Sequence, residues 1–198
     1  VSFGQVLNYS QKINFEKTDQ IKITNEKNKT YYKKLFQKIL IKETSEFIAL
    51  NKPNGISVQG GSKQKFHIDD MLKIISRNNI LPKLVHRIDK DTSGLLLIAK
   101  DSKTAKKFTS LFKDQKIIKT YLAIVSPCPS DNIGTIDLSL SKSGTKDYQR
   151  MTVDQNNGKR AITEYKIIDK VGSRVALVAL YPKTGRTHQL RVHLEYIN

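Results

Sequence analysis

What this sequence lacks narrows the class of protein. Its 198 residues include one cysteine, Cys128, so no disulfide can form within the chain, and a reducing cytoplasm is the expected compartment. No stretch reaches the roughly 18 to 20 consecutive apolar residues that a membrane span needs, and no secretory signal pattern opens the chain. Phosphate-binding Gly-rich loops, dinucleotide fingerprints and nucleophile elbows are also missing. We therefore expect a cytoplasmic globular protein with no membrane anchor and no nucleotide cofactor.

Acidic residues are scarce relative to basic ones. Lys plus Arg number 35 against 18 Asp plus Glu, which gives a formal net charge of +17 at pH 7 and a sequence pI of about 9.9. A surplus of this size is the electrostatic footprint of a protein that binds a polyanion. Because the sequence has no lipidation signal and no strongly amphipathic basic helix, nucleic acid is favoured over a membrane surface. The alternative is that many lysines, such as those in 27–38, are only solvated surface.

Hydrophobic patterns predict many strands with a few helices between them. Runs of apolar or alternating residues end at Gly, Pro and Asp turns, and other segments have helical spacing. The predicted strands cover 47–50, 94–100, 119–127, 161–169 and 174–182, and the predicted helices cover 67–78, 102–115 and 187–197. Asp101 is the predicted cap of the second helix. Residues 130–160 are expected to form hairpins and loops. This order indicates an α+β fold with a mixed, mainly antiparallel sheet.

Composition divides the chain into three predicted segments. Residues 1–24 end in an alternating, strand-like pattern, and the polar stretch that follows predicts a linker over 25–40. Residues 41–198 form the main domain. The chain opens with Val1 rather than Met and stops just after a helical pattern, so we expect it to be a piece of a longer protein.

The stretch HRIDKDTSGLLLIAK places an acid among cations at the start of an apolar strand. Asp89 follows His86 and Arg87 closely, and one interpretation is that Asp89 and Asp91 merely bracket a turn and bind its backbone N–H groups. The other interpretation follows from position. A carboxylate at the entry of a buried strand is partly sheltered from water, and it needs a cationic partner to stay charged. Asp89 is therefore a candidate catalytic residue.

The stretch KTGRTHQLRVHL supplies a candidate partner. On the predicted last helix, His188 and Arg191 are three residues apart and share a face. Arg186 lies in the preceding turn, where it would meet solvent or a phosphate. The alternative without a function is that Arg191 and the histidines are ordinary surface residues. A zinc site built from His86, His188 and His193 is not predicted, because i,i+5 spacing puts the last two on different helix faces.

Tyr121 is the candidate aromatic residue. It begins a predicted strand directly after a helix. Its ring would either fill the core or stack on a planar base. From this position alone, the core is the better prediction.

Four stretches together resemble a known family. LNKPNGISVQGG, HRIDKDTSGLLLIAK, KTYLAIV and TGRTHQLRVHL occur here in the order found in RluA-type pseudouridine synthases, and the resemblance runs from about Phe47 to Leu194. It implies the α+β pseudouridine synthase fold and an isomerase that needs neither a metal nor another cofactor. It also makes 1–24 similar to the tail of an S4-type RNA-binding domain. Members of the family continue beyond the last motif, so we expect the C-terminal end of the domain to be missing.

The resemblance also assigns roles to single residues. It makes Asp89 the catalytic aspartate, Arg191 the basic partner of its carboxylate and Tyr121 the active-site aromatic. Arg87 resembles the arginine that takes the place of the extruded base. Lys52 belongs, with Pro53, to a turn thought to be structural. Four residues are expected to bind RNA: His86, Arg87, Arg186 and His188.

The expected reaction is the isomerisation of specific uridines in structured RNA to pseudouridine. The N1–C1′ bond breaks, the base rotates, and C5 joins C1′. The S4-like remnant favours 23S ribosomal RNA as the substrate of a monomeric bacterial enzyme. Three alternatives stay open: a transfer-RNA-directed synthase, a non-catalytic RNA-binding module, and a hydrolase in which Asp89 acts on the glycosidic bond and the base is released. The hydrolase is disfavoured because glycosidases typically use two carboxylates.

Overall fold

The computed structural model describes residues 25–60, 66–76, 81–145 and 148–197. These residues divide into two compact units, an N-terminal unit that ends at Ile117 and a C-terminal unit that begins at Ile118. The predicted S4-like segment lies outside the described residues. The elements are α1 (Asn25–Ile39), β1 (Leu40–Glu43), β2 (Phe47–Lys52), α2 (Ile68–Ile75), β3 (Lys83–Leu84), β4 (Gly94–Ala99), α3 (Ser102–Lys113), β5 (Tyr121–Val125), β6 (Ile133–Thr145), β7 (Tyr148–Val153), β8 (Lys159–Val171), β9 (Val175–Pro182) and α4 (Gln189–Ile197).

The N-terminal unit contains an antiparallel sheet with the strand order β1-β2-β4-β3. Its two central strands explain the apolar runs of the sequence. Leu50 lies opposite Leu96 and Ile48 lies opposite Ile98, and these four side chains are buried. Ala49 and Ala99, which alternate with these residues along the strands, are also buried, and a strand covered on both faces needs a near-continuous hydrophobic pattern. The predicted strands 47–50 and 94–100 are confirmed.

Two of the helices in this unit follow their sequence signals. On α2, the helical spacing of the apolar residues puts Met71 and Leu72 on the buried face, both 0% exposed. At the start of α3, the Asp101 side chain accepts a hydrogen bond from the Thr104 N–H at 2.8 Å. That bond satisfies one of the amides that a helix leaves free at its first turn.

The helix α1 differs from the linker predicted over 25–40. Its sequence is dominated by charged and polar residues, yet Tyr32 and Ile39 are buried, at 4% and 6% exposure. The Tyr32 ring stacks on Phe66, with centroids 4.4 Å apart and planes 6° from parallel. Positions 32 and 39 are seven residues apart, which is about two helical turns, so both side chains lie on the same narrow face of the helix. Burial of this face stabilises a helix whose average composition is polar.

The C-terminal unit contains an antiparallel sheet with the order β5-β9-β8-β6-β7. The predicted strands 161–169 and 174–182 are confirmed as β8 and β9, which pair with each other and place Tyr165 opposite Leu180. The region 130–160 holds longer strands than expected, because β6 pairs with both β8 and β7. α4 packs against β6, β7 and β8. The buried cluster between them consists of Val125, Ile136, Leu138, Leu140, Ala161, Tyr165, Ile167, Ala176, Val178, Leu180, Val192 and Leu194.

The α+β class predicted from the sequence is confirmed. The strands form two sheets rather than one mixed sheet, and every pairing between strands in the described ranges is antiparallel. The parallel element is an isolated bridge between Ser57 and His67. Among the helices of the described residues, none is long and apolar enough to cross a membrane.

Candidate active site

Asp89 lies in the irregular segment between β3 and β4. Ile88 is buried, at 7% exposure, whereas Arg87 is exposed and Asp89 is half-buried. The Thr92 N–H donates to the Asp89 carbonyl oxygen at 3.1 Å, which closes a turn. The apolar Ile88 side chain therefore anchors a segment that carries the candidate carboxylate and guanidinium on either side of it.

A buried lysine holds the next residue of this turn. Lys52, at the end of β2, is 0% exposed. Its ammonium group donates to the carbonyl oxygens of Pro53 (2.9 Å), Ile56 (2.8 Å) and Lys90 (3.1 Å). An ammonium has three N–H donors, so each donor finds an acceptor. The lysine thereby ties the Pro-Gly turn after β2 to the turn that contains Asp89.

Gly55 adds a second tie to the same carbonyl. Its N–H donates to the Lys90 oxygen at 2.9 Å. Its φ of +81° lies in the left-handed region, which glycine adopts without the steric cost that a Cβ brings. The KPNG sequence thus has a structural reason: Lys52 and Gly55 both hold the residue that follows Asp89.

Burial changes the proton affinity of this lysine. It lowers the pKa of Lys52 from 10.5 to about 8, while the nearby carboxylates of Asp91 and Asp89 act in the opposite direction. The ammonium is therefore mainly protonated at neutral pH. It contributes a positive charge beside the turn.

His86 begins the same segment on its N-terminal side. Its Nε2 atom accepts a hydrogen bond from the Leu97 N–H of β4 at 2.8 Å. Its ring lies against Phe112 of α3, with centroids 4.6 Å apart and planes tilted by 35°. This histidine is half-buried and packed into its own unit.

In the C-terminal unit, Gln189 organises the loop of the last motif. It is 4% exposed, and its Oε1 accepts hydrogen bonds from the Thr184 hydroxyl (2.7 Å) and the Arg186 N–H (2.9 Å). Its Nε2 donates to the Ile162 carbonyl (3.0 Å) and the Thr163 hydroxyl (2.9 Å). All four hydrogen-bonding positions of the amide are used, so the loop is fixed to β8.

Arg186 is exposed but held at its base. Its Nε donates to the Arg160 carbonyl oxygen at 3.1 Å. Arg160 in turn binds both carboxylate oxygens of Asp137 through its own guanidinium. Both arginines are exposed to solvent.

The last helix begins later than predicted, which corrects one expectation. α4 starts at Gln189 rather than near Thr187, and His188 has a φ of +50°. A residue in this left-handed conformation cannot belong to a right-handed helix. The prediction that His188 and Arg191 share a helical face is therefore wrong. His188 instead precedes the helix, and its carbonyl accepts the Val192 N–H at 3.1 Å.

The remaining predicted site residues lie in the same unit as Arg186. Arg191 is exposed on α4, and Tyr121, the first residue of β5, is half-buried. The Tyr121 ring packs against the buried cluster of this unit. The structure thus brings His86, Arg87 and Asp89 together on one segment of the N-terminal unit, and it places Arg186, His188, Arg191 and Tyr121 in the C-terminal unit.

His193 is a buried residue of α4, which the sequence analysis names only in the zinc site that it does not predict. It is 0% exposed, and neither ring nitrogen has a hydrogen-bond partner within the described residues. Burial lowers the pKa of His193 to about 4, with the Asp137 carboxylate opposing the shift. The imidazole is therefore neutral at physiological pH and serves as part of the core.

The chain is similar to known proteins along most of its length. A family model described as RNA pseudouridylate synthase matches residues 46–196. Ribosomal large subunit pseudouridine synthase C of Rickettsia typhi is 41% identical over 165 residues, which are 83% of this chain and 54% of that protein. Ribosomal large subunit pseudouridine synthase D of Borreliella burgdorferi is 38% identical over 168 residues, 80% of this chain and 51% of that protein.

Solved structures include a similar fold. Human RNA pseudouridylate synthase domain containing 4 superposes with a TM-score of 0.71 at 26% identity, covering 87% of this chain and 69% of that one. The chain belongs to the RNA pseudouridylate synthase family. It spans about half the length of the curated relatives it matches.

Replacing Lys52 with methionine is expected to lower the free energy of unfolding by about 2–4 kcal/mol, because three carbonyl oxygens lose their donor inside the fold. Lys73→Met is the matched control. Lys73 is exposed and pairs with Asp70 at the surface, so its loss should change the free energy of unfolding little. Urea unfolding of the three proteins measures both effects, and equal losses would contradict the anchoring role of Lys52.

The Lys52→Met comparison should also depend on pH. The pKa of Lys52 is about 8 when folded and 10.5 in an unfolded chain, so the unfolded state binds more protons between these values. The free energy of unfolding of the wild type then rises with pH, by at most about 1.4 kcal/mol per pH unit from this group. The gap between wild type and variant should widen above about pH 8. A constant gap would show that the carbonyl hydrogen bonds keep the pKa at its ordinary value.

Replacing Gln189 with glutamate is expected to lower the free energy of unfolding by about 1–3 kcal/mol. The change preserves shape but sets a carboxylate oxygen against the Ile162 carbonyl, where the amide now donates. Gln149→Glu is the control, because it adds the same charge at an exposed position of β7. Thermal unfolding should separate the two variants, and a Gln189→Glu protein as stable as the control would refute the role of this amide.

Proposed function

We propose that this protein is a pseudouridine synthase that isomerises uridines in structured RNA. The observation that carries the proposal is the segment around Asp89, which has the family's motif. Hydrogen bonds hold this segment on both sides of Asp89, at His86 and at the Lys90 carbonyl. The chemistry breaks N1–C1′, rotates the base and joins C5 to C1′. The product has the same atoms as the substrate, so the reaction needs no redox partner and no phosphoryl donor.

In this proposal Asp89 is the catalytic carboxylate, acting as a nucleophile or base toward the uridine. Its half-buried position limits competition from water, and an ionised form is required for either role. The family motif adds Arg191 as the basic partner of Asp89, and this assignment rests on the resemblance of the TGRTHQLRVHL stretch.

Tyr121 is proposed as the aromatic residue that stacks on the uracil ring. It occupies the first position of a strand and is only partly buried, which suits a ring that packs on the core with one part and meets a base with another. Stacking on a base is worth about 1–3 kcal/mol. That gain offsets part of the cost of removing the uridine from its neighbours.

The RNA itself is proposed to bind through the basic surface. Extruding the target nucleotide costs a few kcal/mol, and the net charge of +17 supplies phosphate contacts that offset it. Arg87, exposed next to Asp89, would take the place of the extruded base. Arg186 and His188 are proposed RNA contacts of the C-terminal unit.

Large-subunit ribosomal RNA is the proposed substrate, because the two relatives described above are both named ribosomal large subunit pseudouridine synthases. Transfer RNA is the second candidate substrate. A non-catalytic RNA-binding module and a glycosidic hydrolase are the competing functions. A synthase forms pseudouridine, a hydrolase releases free uracil, and a binding module does neither, so one assay of the products separates the three functions.

Asp89→Asn is expected to abolish pseudouridine formation, with a loss of at least about 10²-fold in rate, while the Kd for RNA stays within about twofold, since the variant loses no positive charge. Asp91→Asn is the control, because it makes the same change in the exposed acid of the same turn and should keep most of the activity. Nucleoside chromatography of digested RNA measures the product, and a filter-binding titration measures the Kd.

Three results would count against the proposal. An Asp89→Asn protein with undiminished activity would remove Asp89 from the chemistry. Free uracil in the reaction would indicate hydrolysis instead of isomerisation. A wild-type protein that binds RNA tightly and never forms pseudouridine would favour the binding module.

A further inference from the structure

We propose that His86 is a positioning residue for Asp89: its imidazole ends the pairing of β3 with β4 and fixes where the chain leaves the sheet, and its Nε2 atom does not contact RNA. This inference deepens the proposed function and rests on it for the role of Asp89. It replaces the RNA-binding role that the sequence predicts for His86.

The first step is the register of the two strands. Lys83 pairs with Ala99, and Leu84 pairs with Ile98. Continued antiparallel pairing would set residue 85 opposite Leu97, so the Leu97 N–H would seek a main-chain acceptor there. It finds the Nε2 atom of His86 at 2.8 Å instead. A side chain thus replaces the next main-chain partner of the ladder.

The second step is that the ring is held in place. It packs on Phe112 at a centroid distance of 4.6 Å, so the imidazole lies between α3 and β4 of its own unit. An amide left without an acceptor inside a fold is costly, which favours the conformation that keeps this contact. The main-chain pairing with β4 covers Lys83 and Leu84, and the His86 side chain makes the next contact along that strand.

The third step concerns Asp89 itself. His86 fixes the segment three residues before Asp89, and the Lys90 carbonyl is fixed one residue after it by Lys52 and Gly55. The backbone of Asp89 is thereby anchored on both sides. Displacing a catalytic group by about 1 Å can cost about 10²-fold in rate, so both anchors bear on catalysis.

The chemistry of Nε2 argues against a phosphate contact at that atom. A phosphate oxygen only accepts hydrogen bonds. The Nε2 of His86 already acts as an acceptor, so it carries no proton to donate. The hydrogen bond to Leu97 and a contact from Nε2 to RNA are therefore mutually exclusive.

Two variants test the inference. His86→Phe keeps an aromatic ring for Phe112 but removes the acceptor, and it should lower kcat about 10–100-fold, with KM and Kd for RNA within about twofold. His86→Gln keeps an acceptor oxygen at a similar reach, and it should restore kcat to within about threefold of the wild type. The dependence of log Kd on log salt should be the same in all three proteins.

A second readout does not require activity. Hydrogen exchange at the Leu97 amide, followed by NMR, should be faster in His86→Phe and close to wild type in His86→Gln. The ¹⁵N shifts of His86 in the wild type should report an Nε2 atom without a proton near neutral pH. This measurement keeps the inference testable even if the phenylalanine variant is poorly folded.

The outcomes separate the inference from the proposed function. A weaker Kd with a flatter salt dependence in both variants would show that His86 binds RNA and would overturn the inference. So would unchanged kcat in His86→Phe, or a protonated Nε2 in the wild type. A wild type that makes no pseudouridine would defeat the proposed function, whereas slowed exchange at Leu97 through His86 would still establish the anchor.

Discussion

The ammonium group of Lys52 is the interaction on which the candidate site depends. A lysine with 0% exposure carries a large desolvation penalty, and burial accordingly lowers its pKa to about 8. Three carbonyl oxygens compensate for the lost water, and one of them belongs to the residue after Asp89. The cost of burying the charge is therefore linked to a fixed position for the turn that contains the candidate residue Asp89. A hydrophobic residue would pack there more cheaply, but it would hold neither turn.

Two further segments that carry candidate site residues are held by side chains in a similar way. Where regular pairing ends, side chains form the hydrogen bonds to backbone N–H and C=O groups that a neighbouring strand would otherwise form. The His86 ring replaces a main-chain acceptor at the end of β3. The Gln189 amide binds the Arg186 N–H and the Ile162 carbonyl, which fixes the last motif to β8. Irregular segments held in this way are both exposed and well positioned, as substrate-binding loops must be. The unusual motif residues are thus explained by local hydrogen bonding.

Sequence reasoning predicted the elements in which local patterns and tertiary packing agree. The strand 94–100 and the helix capped by Asp101 are examples, because burial and capping are written in the residues themselves. It missed α1, whose narrow apolar stripe ending at Ile39 is hidden by charge. It also placed the start of α4 too early, since the positive φ of His188 is not visible in the hydrophobic pattern of the sequence. For the site, spacing alone left Asp89 undecided, and only the four ordered motifs assigned its role. The burial of Lys52 could not be predicted from the sequence, because lysine is almost never fully buried.

The family, the held carboxylate and the positive charge lead to a single claim, that this protein converts particular uridines of an RNA into pseudouridine. The most direct test is to map pseudouridines in total RNA from cells that lack the gene, before and after incubation with the purified protein. The account predicts new pseudouridines at a few defined positions in large-subunit ribosomal RNA. No gain at any position, in an RNA preparation that the protein demonstrably binds, would contradict it.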